Sequence, residues 1–157
     1  MTRPVETPSF TFSLERVRSM RERAEDQARE ALAQQLTAER ESEELVQAAA
    51  AAAGAAREAG LGTVMRGGAT GTDLIAAQVW IERAERTVRE AALERDARSA
   101  EVEIRRSALA VAARDREAIE RLKERRRADH EAEWARRAQG ALDEIALAVH
   151  RRRTRAA

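Results

Sequence analysis

Both prolines of this chain, Pro4 and Pro8, fall within the first eight residues, and none follows. Proline removes an amide donor and crowds the preceding helical turn, so beyond residue 8 a helix, once begun, meets little to stop it. From Leu14 to about Ala59 the only weak point is Gly54, and past residue 71 it is Gly140. Composition agrees with long helices. Charged residues make up 36% of the 157 positions in nearly equal numbers of each sign, and aromatics only 3%. About half of the 43% hydrophobic content is Ala, which favours helix but buries little area. Such a chain suits paired helices better than a layered globular core.

Five of the seven glycines lie in the segment EAGLGTVMRGGATGTDLI, residues 58–75. The expected organisation is an extended leader over 1–13, a helix over 14–59 capped by Ser13, and a glycine-rich turn over 60–71. A second helix over 72–153, capped by Thr72 or Asp73, and a tail over 154–157 complete it. The fold class is all-α, an antiparallel coiled-coil hairpin whose second helix must overhang or bend.

In the first helix, positions 14, 17, 21, 24, 28, 31 and onward to 45, 49 and 52 alternate steps of three and four and are mostly small, which reads as a weak heptad seam. In the second, Ile81, Ala84, Val88 and Ala91 form one register that runs into Arg95 and Arg98. Ile104, Ala108, Val111, Ala118 and Leu122 form another, which predicts a change of face between about 95 and 104. A last apolar stripe contains Leu142, Ile145 and Val149. Glu82–Arg86, Glu85–Arg89, Glu101–Arg105 and Glu117–Arg121 place acid four residues before base, the favourable order on a helix.

Catalytic chemistry finds little support. Gly62 and Gly67 have the first spacing of a phosphate loop, but Gly68 and Ala69 stand where Lys and Ser or Thr are required, and no strand precedes them. His130–Glu131 starts like a zinc-protease motif, yet position 134 is Trp, and His150 is more than five helical turns away. Both histidines read as solvated. No catalytic residue, metal ligand or cofactor site is expected, and with no Cys there is no thiolate ligand. The basic runs RLKERRR at 121–127 and RRRTR at 151–155 read as a solvated helix face and a favourable helix C-terminus. Of the 29 basic residues only Lys123 is lysine, a bias that reads as codon usage, and the net charge is +1. No nucleic-acid partner is expected. The N-terminus lacks the apolar core of a secretory signal, and no run approaches the ~20 apolar residues of a transmembrane helix. Trp80 is expected to lie opposite Ala52, and both it and Trp134 are candidate partner anchors.

The segment FTFSLERVRSMRERAEDQARE resembles the opening of the FliJ family, coiled-coil proteins of flagellar type III export. Phe10, Phe12, Leu14, Arg16, Val17, Met20, Arg21 and Glu22 match the family pattern in order, while Arg18 replaces an aliphatic residue. The basic helix around Ile119, Leu122 and Lys123 and the sequence LDEIA at 142–146 are similar too. The resemblance implies a non-enzymatic stalk-like coiled coil for the hexameric export ATPase, FliI, that also contacts the gate protein FlhA and export chaperones. It implies a cytoplasmic protein held peripherally at the inner membrane by the export apparatus. The joined helix termini, with Phe12, Leu14, Val17, Met20, Leu142, Ile145 and Val149, would enter the ATPase ring, and Trp80 would face the gate. The alternatives are the equivalent stalk protein of a virulence secretion system and a basic helical nucleic-acid binder.

Overall fold

The Leu14 carbonyl accepts the Arg18 amide at 2.9 Å, and from there α1, Glu15–Met65, runs unbroken. In the computed structural model, which describes residues 8–155, it pairs antiparallel with α2, Gly71–Arg155, in an all-α hairpin. The chain divides into two compact units to which both helices contribute: Ala24–Ala112, which contains the turn, and residues up to Arg23 together with 113 onward. The first seven residues of the expected leader and the last two of the expected tail lie outside the described residues.

The first helix does not end at 59. It passes through Gly60 and Gly62, so the turn occupies 66–70 where 60–71 was expected. Gly60 is buried, and a Cβ there would stand 3.0 Å from Cδ1 of Ile81. Close approach of the second helix offsets the ~1 kcal/mol a helical glycine costs relative to alanine. Among the described residues only Gly67 and Gly68 take left-handed conformations, with φ of 70° and 79°, and these end α1. Thr70 opens α2. Its Oγ1 accepts the Asp73 amide at 3.2 Å, and Asp73 Oδ2 accepts the Thr70 amide at 2.9 Å. This reciprocal capping box puts the cap at Thr70, two residues before the earliest position expected. The later turn also moves Trp80, which lines a groove with Ala59, Gly60 and Thr63 and does not face Ala52.

In the unit Ala24–Ala112 the inward positions of α1 step through 25, 28, 32, 35, 39, 42, 46, 49, 53, 56, 60 and 63. Glu25, Ser42, Ala53 and Ala56 are buried there. Half of the expected seam was thus set one residue early: Leu45 is exposed and Val46 turns inward. The alanine run 48–53 offers equivalent side chains on every face, so the sequence carries little to fix that choice.

The correction on α2 is larger. The register through Ile81, Ala84, Val88 and Ala91 does not change face; it continues through Arg95 to Val102, Arg105 and Leu109. Val102 is 1% exposed, whereas Ile104 and Val111 are 59% and 55% exposed. Arginine can lie in a seam when its aliphatic stem packs and its charged head reaches the edge. Arg95 does so toward Glu43 of α1 at 3.5 Å, and Arg105 toward Glu101 at 2.6 Å.

Of the four expected intrahelical pairs, Glu101–Arg105 and Glu117–Arg121 form, each at 2.6 Å. Glu85 instead crosses to Arg57 of α1 at 2.7 Å, and Glu82 accepts from Gln78 at 2.8 Å. The crossing pairs at 43–95 and 57–85 fix the antiparallel alignment within this unit, although exposed ion pairs add under ~1 kcal/mol each.

The register has a direct test in urea denaturation. Val102→Ala should lower stability by roughly 1.5 kcal/mol, the loss expected for two buried carbons. Ile104→Ala should change it by less than about 0.5 kcal/mol, as surface substitutions do. The reverse order would mean that the seam does turn at 95–104.

Candidate partner-binding surfaces

In the unit formed by residues 8–23 with 113–155, the segment before α1 is strapped onto α2 by two aromatic rings, Phe12 and Phe10. Phe12 is buried, with Nζ of Lys123 and the guanidinium carbon of Arg126 each 5.9 Å from its ring centroid. Such cation–ring contacts contribute ~0.5–1 kcal/mol each. Arg126 Nη1 also donates to Ser13 Oγ at 3.0 Å, so this hydroxyl, expected as a helix cap, receives a cation from the opposite helix. Phe10 packs against Phe12 and against His130, whose ring centroid is 5.7 Å away. His130 is therefore half-buried and not the solvated residue expected. Its Nδ1 is enclosed without a hydrogen-bond partner among the described residues.

One turn further, the contacts are ionic. Glu15 accepts from Lys123 at 2.9 Å and from Arg18 at 2.7 Å, and Arg18 reaches on to Glu120 at 3.0 Å. Arg21 donates to Asp115 at 2.8 Å. The hydrogen bond from Lys123, and then that from Arg18, hold the Glu15 carboxyl below its ordinary value of 4.5. The Arg18 guanidinium is pushed up by its bonds to Glu120 and Glu15. Arg18 is therefore the hub of an ionic clasp.

The candidate contact residues divide by exposure. Phe12 is enclosed, Leu14 and Val17 are half-buried, and Met20 is exposed in a shallow groove of about 320 Å³ with Glu15, Arg16, Ser19 and Arg23. Trp134 is half-buried, and every residue from 139 to 155, including Leu142, Ile145 and Val149, is exposed. The structure does not bring the N-terminal candidates and Leu142, Ile145 and Val149 into one enclosed site; the clasp occupies 10–21 and 115–130.

The turn end of the other unit carries an apolar cluster that sequence reasoning passed over. Trp80 is 52% exposed, and Leu61, Val64, Met65, Leu74, Ile75 and Val79 are exposed with it. A groove of about 460 Å³ lies between the helices, lined by Leu61, Val64, Leu74 and Ile81 with Arg57 and Gln78 at its edge. The Trp80 groove, about 330 Å³, shares Gly60 and Ala77 with it. A signal was present: between Glu58 and Glu82 the only charged residues are Arg66 and Asp73. In a chain so rich in charge, that gap marks a surface the protein keeps uncharged.

Among the described residues no group of His, Cys, Asp or Glu is placed to hold a metal ion. No described helix is long and apolar enough to cross a membrane.

The clasp has a pH signature. Because the folded-state pKa of Glu15 is lowered, the stability it contributes is present above about 4.5 and is lost as the pH falls through the folded value. Amide protection factors over residues 12–18, which normalise out the intrinsic pH dependence of exchange, should fall on acidification from pH 6 to pH 3, and Glu15→Gln should show the lower protection already at pH 6. Equal protection in both proteins at pH 6 would remove Glu15 from the clasp.

No curated protein and no solved structure matches the chain. A family model does: residues 10–155 match that of the flagellar FliJ protein. The match takes in the clasp, both helices and the turn. The chain is therefore a member of the FliJ family, a coiled-coil component of flagellar protein export.

Proposed function

We propose that this protein is a non-enzymatic stalk of the flagellar export apparatus, inserted into the hexameric export ATPase FliI and reaching the gate protein FlhA and export chaperones. The family match over 10–155 carries the reading, and the distribution of apolar surface supports it. Residues near the helix termini would engage the ring. There Phe12 is enclosed in the clasp and Leu14, Val17 and Trp134 are half-buried, while Met20, Leu142, Ile145 and Val149 offer exposed contacts. Trp80 and the uncharged cluster around it would meet the gate, where a large exposed aromatic suits an anchoring role. The protein would work on the cytoplasmic face of the inner membrane, held there by its partners. Nucleotide hydrolysis belongs in this scheme to the ATPase.

The deciding experiment measures hydrolysis by the cognate export ATPase with and without this protein. The expected result is activation that is lost in a Leu142→Glu, Ile145→Glu double variant with an unchanged melting temperature, since both side chains are exposed. Trp80→Ala should keep that activation and lose capture by the gate protein. Failure of the wild-type chain to bind the hexamer or alter its rate would reject the stalk role.

A further inference from the structure

The α2 helix carries a second apolar stripe between residues 93 and 111, on a face the hairpin does not use. Leu93, Ala97, Ala100, Ile104, Ala108 and Val111 recur at steps of three and four, and Leu93 is 71% exposed. Spacing of that kind is read by another helix. At about 100° per residue, Glu90, Glu94 and Glu101 border the stripe on one side, with Asp96 and Glu103 on the other. The arginines of the region lie off the stripe, and each bonds one of the bordering acids: Arg95 reaches Asp96, Arg98 Glu94, Arg105 Glu101 and Arg106 Glu103. Carboxylates that accept one bond retain acceptor capacity for a second cation. The stripe therefore fits an amphipathic helix with basic flanks.

The chain contains such a helix. Residues 134–155 of α2 place Trp134, Ala138, Leu142, Ile145 and Val149 on one face and carry six arginines against two acids. The arm and the acid-bordered segment 90–111 are each 22 residues, about 33 Å at 1.5 Å per residue. Arm and stripe are both stretches of α2, so two copies of this chain bring one of each to the other. We infer that the C-terminal arm of one copy docks antiparallel along the 93–111 stripe of a second copy, with the arginines at 151–155 against Glu90, Glu94 and Asp96. At about 100° per residue Asp143 and Glu144 lie on the arm's outer face, turned away from the acids that border the stripe. The contact is heterologous: each copy keeps one free arm and one free stripe, and association extends with concentration. Docking sequesters the same apolar residues that the proposed ATPase contact requires, so the two states compete. The inference does not depend on the ATPase reading, because its test contains this protein alone.

Sedimentation equilibrium of two variants decides it. Leu93→Glu, Ile104→Glu destroys the stripe and keeps the arm; Leu142→Glu, Ile145→Glu destroys the arm and keeps the stripe. The wild-type chain should gain mass with concentration at low salt and lose that association as salt screens the flanking charges. Each variant alone should be monomeric, and their equimolar mixture should form a one-to-one dimer. A monomeric wild type, a variant that still associates alone, or a mixture that does not pair would overturn the inference. Circular dichroism establishes that both variants are helical; if the stripe variant is not, Glu94→Lys, Glu101→Lys replaces it and must give the same pattern.

Discussion

Two long helices can approach closely only where neither presents a large side chain, and this chain meets that condition with alanine, serine and glycine. Ala53, Ala56 and Gly60 are buried on α1, and Val102 is the only sizeable buried side chain on α2. A seam so thin gains little from area alone, so its alignment rests on what lies at its edges. Arginine stems cover the apolar atoms and their heads find carboxylates across the gap, as Arg95 does with Glu43 and Arg57 with Glu85. The same economy explains Gly60, whose missing Cβ leaves room for Ile81.

The class of fold was legible because it depends on what is absent, namely proline and aromatic mass. The register was less so. Leu45 and Val46 are adjacent and both apolar, and among the alanines on either side either choice continues a repeat of three and four. At Arg95 a basic residue looked like the end of an apolar face, when its stem was part of that face. Glycine in that segment reads as a breaker, yet Gly60 and Gly62 are helical and among the described residues only Gly67 and Gly68 take positive φ. The surfaces were legible in part. Trp80 stood out as the largest side chain near the turn, while the exposed Leu and Val around it went unread inside a segment assigned to a flexible connection. His130 gave no sign of its neighbour, since Phe10 lies 120 positions away in sequence.

The two units use different physics. In the unit with the chain termini, one buried aromatic and a ladder of ion pairs hold the N-terminal segment to α2, a surface that responds to protons and salt. The unit with the turn ends in nearly uncharged, exposed apolar groups, which respond to neither. A protein with contacts of both kinds can have one set regulated by solution conditions while the other stays constant, provided each is read by a separate partner.

The alanine seam has a calorimetric consequence. Heat capacity rises on unfolding in proportion to the apolar surface newly exposed to water, and much of the large apolar surface here, from Leu61 and Met65 to Leu142 and Ile145, is already exposed in the folded hairpin. The free energy of folding in this chain therefore varies with temperature along a flatter curve than that of a globular domain of equal length.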